Sequence, residues 1–179
     1  MNTGVIAARY ARTLLKYVGD SPAGEAVCSE AEAIETALSR VDGFRTAVEN
    51  RVAVTPAEKL SLMRAAAGGK LEPELEAFLG LVIKNGREKF LKLILHDFRM
   101  TFLRSHGILA GSLVTVGGDS SLEEALRKMV RGKTGYDVRV ESRTDPEIIG
   151  GFVFTVDDYR IDASVAGQLE SVRRGLETE

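Results

Sequence analysis

The chain has 179 residues, 44% of them hydrophobic and 28% charged, with 24 basic and 26 acidic side chains. That is enough apolar material for one domain or two small ones, and it excludes disorder throughout. A net charge of −2 argues against a nucleic-acid partner, and a lone cysteine, Cys28, excludes an internal disulfide and a cysteine-built structural zinc site.

The opening stretch, Met1 to Val5, has no basic segment ahead of an apolar run, so no export signal is expected. Residues 5–18 put Ile6, Tyr10, Leu14 and Tyr17 at helical spacing, with Val5, Leu15 and Val18 as a second apolar flank. Such a helix is apolar over more of its circumference than one core needs, so it sits in the middle of a bundle or carries a partner site. Gly19-Asp20-Ser21-Pro22 ends it. Val27, Ala31, Ile34, Leu38 and Val41 form the seam of a second helix, over about 23–41, with Cys28 flanking it as a small packing residue. A short helix over 44–49 follows. Thr55-Pro56-Ala57-Glu58 then starts a fourth, with Thr55 capping, Pro56 in the first turn and Glu58 closing a capping box. Its seam is Leu60, Met63 and Ala67, and Gly68-Gly69 stops it. Pro73 opens a fifth, with Leu75, Phe78, Leu79, Val82 and Ile83 inward and Asn85-Gly86 as a left-handed stop. A long helix over about 87–105 carries Phe90, Leu91, Ile94, Leu95, Phe98 and Phe102 on one face.

The pattern changes at Gly107. Ile108 to Val116 reads as a strand. Ser120 or Ser121 caps a helix bearing Leu122, Leu126, Met129 and Val130. Tyr136, Val138, Val140 and Ser142 alternate with charged residues as a half-buried strand. Phe152, Phe154 and Val156 make another, Asp157-Asp158 turns, and Tyr159 to Ala163 returns as a hairpin. Ser164 caps a last helix carrying Val165, Leu169, Val172 and Leu176. The fold class is therefore α+β: an N-terminal bundle of about six helices over 1–106, then a mixed module with about four strands and two helices over 107–179. The first carries 15 basic and 13 acidic side chains, the second 9 and 13. Neither is polarised enough for a phosphate-backbone partner. The apolar run 79–83 is far shorter than the roughly 20 residues a membrane helix needs, so direct membrane insertion is not expected.

Candidate chemistry is sparse. Gly132-Lys133-Thr134 lacks the earlier glycine of a phosphate loop, since position 127 is Arg, and it follows a helix. A helix C-terminal glycine explains it better. Gly150-Gly151 lacks the third glycine of a dinucleotide fingerprint and reads as a bulge or close backbone approach at a strand entrance. His96 and His106 are too far apart on one helix to share a metal. Asp157 and Asp158 suit a polar turn better than a catalytic dyad. No nucleophile, base and orienting group come together, so no catalytic residue, cofactor or metal site is expected.

The residues do carry a family pattern. Ala8-Arg9-Tyr10-Ala11, then Leu79, Asn85-Gly86-Arg87 and the Leu91, Ile94, Phe98 seam, then Asp145-Pro146-Glu147-Ile148-Ile149-Gly150-Gly151, Arg160-Ile161-Asp162-Ala163-Ser164-Val165 and Leu169 occur in order along essentially the whole chain. In this the chain resembles the delta subunit of bacterial F-type ATP synthase, the oligomycin-sensitivity-conferring protein family. Ala163 departs from the family's frequent glycine, Leu15 from an aromatic and Phe90 from a leucine. The motif positions are Arg9, Tyr10, Gly86, Arg87, Asp145, Pro146, Gly150, Gly151, Asp162 and Ser164. The resemblance implies a non-catalytic stator subunit coupling proton-driven rotation to ATP synthesis. Its helical module would bind the N-termini of the alpha subunits of the catalytic head, and its second module the b subunits of the peripheral stalk. The protein would lie at the cytoplasmic face of the bacterial inner membrane, held through other subunits. Helix-in-groove docking suits such a joint, with the first helix and the helix over 73–85 bordering the groove and Val5, Ile6, Arg9, Leu14, Phe78 and Val82 as candidate contacts. The Gly150-Gly151 hairpin and the last helix are the expected stalk contact. Two further readings stay open on the residues: an adaptor or regulatory protein of another multi-subunit complex, and a small transferase with a degenerate phosphate site near Gly132.

Overall fold

The computed structural model describes residues 3–19, 21–117, 120–157 and 159–177, with backbone alone for 175–177. The chain divides into two compact units, Met1–Phe102 and Leu103–Glu179.

The first unit is a helical bundle: α1 (Thr3–Val18), α2 (Gly24–Arg40), α3 (Asp42–Glu49), α4 (Pro56–Ala66), α5 (Pro73–Lys84) and α6 (Leu91–Ser105), the last straddling the boundary between units. Local chemistry sets the ends. The Thr55 hydroxyl accepts from the Glu58 amide at 3.3 Å, and the Glu58 carboxylate accepts from the Thr55 amide at 2.8 Å, so the expected capping box forms ahead of Pro56. The hydrogen bond from the Thr55 amide, with that from its hydroxyl, holds the Glu58 carboxyl below its ordinary range. Helix α5 ends in a Schellman motif: the Gly86 amide bonds to Ile83 O at 2.9 Å and the Arg87 amide to Val82 O at 3.0 Å, with Gly86 at φ 60°. The long helix expected over 87–105 begins as one 3₁₀ turn, Glu88–Phe90, before α6 winds regularly.

The core joins Val27, Ala31, Ile34 and Leu38 of α2 to the α5 residues Leu75, Phe78, Leu79, Val82 and Ile83. Leu91, Ile94, Leu95, Phe98 and Phe102 of the α6 region complete it, with Cys28 buried among them. On α1 the buried stripe is Ala7, Ala11, Leu14 and Val18, while Tyr17 is 60% exposed. The expected stripe is thus rotated, because alanines bring α1 close to its neighbours although their apolar signal is weak. In α4 the buried pair is Lys59 and Met63, with Leu60 and Ala67 only half-buried.

The second unit is a four-stranded sheet with two helices. Strand β1 (Ile108–Thr115) runs parallel to β2 (Asp137–Thr144) across the helix α7 (Ser120–Thr134) and antiparallel to β3 (Phe152–Val156), which pairs with β4 (Tyr159–Asp162); the order is β2-β1-β3-β4. Parallel neighbours need such a crossover, and the β3–β4 hairpin is the expected one. Leu113, Val138, Phe154 and Val156 pack with Leu126 and Val130 of α7. Both serines, Ser120 and Ser121, lie inside α7 instead of preceding it. Gly132 also lies inside it, and Gly135, at φ 76°, is the residue that ends the helix. Helix α7 simply runs one turn further than the glycine suggested. The last helix, α8 (Val165–Glu177), starts where expected, with the Ser164 hydroxyl accepting from the Gly167 amide at 3.0 Å. Asp20 and Asp158, and the side chain of Leu176, fall outside the described residues.

Candidate functional site

The first unit carries a groove between α1 and the C-terminal end of α5, with a volume of about 460 Å³. Val5, Ile6, Arg9, Tyr10 and Thr13 line one wall, Leu81, Asn85 and Arg87 the other. The spacing of the α1 residues puts them on one face, and the Schellman turn delivers Asn85 and Arg87. Across the groove the Asn85 side-chain amide donates to the Tyr10 hydroxyl at 3.1 Å. The Tyr10 ring meets Phe78 edge-on at 6.2 Å, so its polar tip reaches the groove while its body stays anchored in the bundle. Val5 is 57% and Leu81 43% exposed, which leaves apolar surface in water. Two arginines and no acidic side chain line the groove among the described residues. Exposed apolar side chains beside two arginines suit an amphipathic helix with carboxylates next to its apolar face.

Of the candidate contacts, Val5, Ile6 and Arg9 line this groove. Leu14, Phe78 and Val82 are buried in the bundle core, where they hold the two walls together without lining them. Sequence reasoning did not pick out Leu81 as a contact. Its signal was an apolar residue on α5 off the 75, 78, 79, 82, 83 seam.

In the second unit the two separated halves of the motif meet. The Asp145 carboxylate accepts from the Glu147 amide at 2.9 Å, ahead of Pro146 and a single 3₁₀ turn. The chain then passes through Ile149 at φ 65° and Gly151 at φ 75°. The Val165 amide bonds to Gly150 O at 3.0 Å and the Ala163 amide to Phe152 O at 2.9 Å. A Cβ on Gly151 would collide with the Ala163 carbonyl, so the expected close backbone approach is real at this glycine. Asp162 accepts from the Ser164 amide at 3.1 Å and hydroxyl at 2.6 Å, and pairs with Arg160 at 3.1 Å. These bonds, the Ser164 hydroxyl's first, hold its carboxyl below the ordinary range. The motif residues thus form a backbone lock from which α8 departs. Beside it the apolar residues of α8 stand in water: Val165 is 40%, Leu169 59% and Val172 61% exposed. Ile149 is 62% exposed on a backbone conformation that β-branched residues rarely adopt.

Among the described residues no group of three or more His, Cys, Asp or Glu side chains is placed to hold a metal ion, and no helix is long and apolar enough to cross a membrane. His96 instead pairs with Glu35 at 2.8 Å.

The chain thus combines a helical unit that carries a side groove with a mixed unit whose last helix exposes an apolar face. The chain belongs to the ATP synthase delta (OSCP) subunit family, whose model matches residues 6–176. It is 36% identical to the ATP synthase subunit delta of Phocaeicola vulgatus, over 97% of this chain and 95% of that one. With the subunit delta of Anaplasma marginale it shares 32% identity over 96% of this chain and 90% of that one. In fold it resembles a chain of the Toxoplasma gondii mitochondrial ATP synthase hexamer, with a TM-score of 0.70, 21% identity and coverage of 95% and 96%. As a member of this family the protein is a non-catalytic stator subunit of the F-type ATP synthase, linking head to peripheral stalk.

Proposed function

We propose that the α1/α5 groove receives the N-terminal segments of the alpha subunits of the catalytic head. In the same proposal the α8 face and the Ile149–Gly151 corner meet the b subunits of the peripheral stalk, which hold the protein at the cytoplasmic face of the bacterial inner membrane. The observation that carries the first contact is the groove itself: exposed Val5 and Leu81 together with Arg9 and Arg87, built from two of the segments that carry the family resemblance. A stator joint must resist torque. A preformed groove that buries the apolar face of a helix supplies a tight contact without ordering the receptor further.

The test is Ile6→Asp. Ile6 is only half-buried, so the bundle should tolerate the change, while a carboxylate on the groove wall would oppose an apolar, acidic partner helix. An alpha-subunit N-terminal peptide titrated against the full chain should bind the wild type and lose affinity about tenfold or more for the variant, at unchanged circular dichroism. Equal binding by the two proteins removes the groove from the proposal.

A further inference from the structure

The groove wall at Asn85 and Arg87 is held from behind by charge. Lys59 of α4 is 2% exposed and Glu88 4%, and they pair at 2.7 Å. The other Glu88 carboxylate oxygen is buried and has no hydrogen-bond donor among the described residues; the Arg51 guanidinium faces it at 3.7 Å. Arg51, on the loop between α3 and α4, donates to the Gly86 carbonyl. Asn85, the next residue back, reaches Tyr10 on the opposite wall. A continuous polar chain thus runs Lys59, Glu88, Arg51, Gly86, Asn85, Tyr10.

One feature of this chain is not explained by stability. A buried ion pair is a poor way to hold a core, because apolar residues of similar volume do as well or better once desolvation is counted. Lys59 lies one helical turn before buried Met63, a position where an apolar residue would complete the α4 seam. The Arg51 guanidinium lies against the open side of Gly86, the glycine that ends α5, and so joins this turn to the buried pair.

We propose that the Lys59–Glu88–Arg51 cluster is a positioning brace for the docking groove, fixing the 85–87 turn so that Asn85 and Arg87 stand in place before the partner arrives. This rests on reading the groove as a docking site. Preorganisation of that kind lowers the ordering cost of binding.

The test uses the full chain with Lys59→Met/Glu88→Leu, which replaces the pair by apolar groups, and Arg51→Ala, whose side chain is 61% exposed. Ile6→Asp is the control. Three quantities are read: urea stability, affinity for the alpha-subunit N-terminal peptide, and the NMR signals of the Asn85 side-chain amide in the free protein. We expect the double variant to match or exceed wild-type stability, yet to bind about three- to tenfold more weakly, with the Asn85 amide signals shifted or broadened. Arg51→Ala should show the same weaker binding and the same change in the Asn85 signals, at a stability below that of the double variant because Glu88 keeps its buried charge. Wild-type affinity in both variants, while Ile6→Asp abolishes binding, leaves the groove reading intact and overturns the brace. So does an affinity loss that only tracks lost stability. If the wild type does not bind the peptide, the groove reading falls. The brace is then decided by the Asn85 signals: changed in both variants they support it, unchanged they refute it.

Discussion

His96 shows how one side chain can make the bundle sensitive to pH. Its ring nitrogen Nδ1 lies 2.8 Å from Glu35, and the same α2 surface engages Arg99, which pairs with Glu32 and lies 3.2 Å from Glu35 through Nε. The hydrogen bond to Glu35 raises the His96 pKa above 6.5, outweighing partial burial and the repulsion from Arg99; Asp97, next in sequence, adds a little in the same direction. A group whose folded pKa is raised stabilises the fold when protonated. Its contribution is therefore fully present below about pH 6.5, the unfolded value, and is lost as pH rises through the higher folded value. With glutamine at position 96 this dependence disappears. In urea titrations between about pH 5.5 and about pH 8.5, the wild type should exceed His96→Gln most at the acid end, with the gap closing toward the alkaline end. A gap constant across that range would mean that the imidazole does not titrate in contact with Glu35. The ring is nearly half exposed, so solvent screening keeps the effect small.

At the scale of elements, the glycines and caps carry most of what the sequence made legible. Thr55 with Glu58, Asn85-Gly86 and Ser164 each bound a helix as their chemistry requires, and the period-two runs became strands. The misreadings have physical causes. Ala7 and Ala11 pack tightly but look neutral, so the apolar pattern points to an α1 stripe rotated from the one that is buried. Gly132 is tolerated inside the last turn of α7, and only Gly135 takes the left-handed conformation. Lys59 gave no apolar signal at all, because its burial depends on Glu88, 29 residues away. The groove was legible as two bordering helices. Which side chains line it and which lie beneath it depends on rotation within a few tens of degrees, and the sequence pattern does not resolve that. The lock around Gly151 yields a prediction on this scale. At φ 75°, with the Ala163 carbonyl where a Cβ would stand, Gly151→Ala must move the corner that starts α8. Backbone strain alone costs about 1–3 kcal/mol, and the collision adds to it. The second unit should lose at least that much stability in urea, read by the exchange of the Ala163 and Val165 amides, while the bundle's exchange stays unchanged.

At the scale of the whole molecule, the proposal gives each of the two compact units its own partner and requires that the two contacts can be lost separately. Helix α8 presents Val165, Leu169 and Val172 along one face at i, i+4 and i+7, all exposed, and such a stripe in water is the usual mark of a missing partner. Ile149 beside it is held exposed on a strained backbone, a cost that persists where the local structure enforces it. Removing residues 164–179 should therefore abolish binding to the b subunits and leave affinity for the alpha-subunit peptide intact. That deletion also removes the Ser164 cap and the Val165–Gly150 bond, so it is paired with Leu169→Asp/Val172→Asp, which alters only exposed positions. Both proteins should still bind the alpha-subunit peptide like wild type, and neither should be retained by immobilised b subunits. In membranes reconstituted with the double variant, ATP hydrolysis should continue while ATP-driven proton pumping falls, because a head without its stator turns with the shaft. Retention of the double variant on b subunits would move the stalk contact off α8. Loss of the alpha-subunit contact in that variant would show that the two units act as one body.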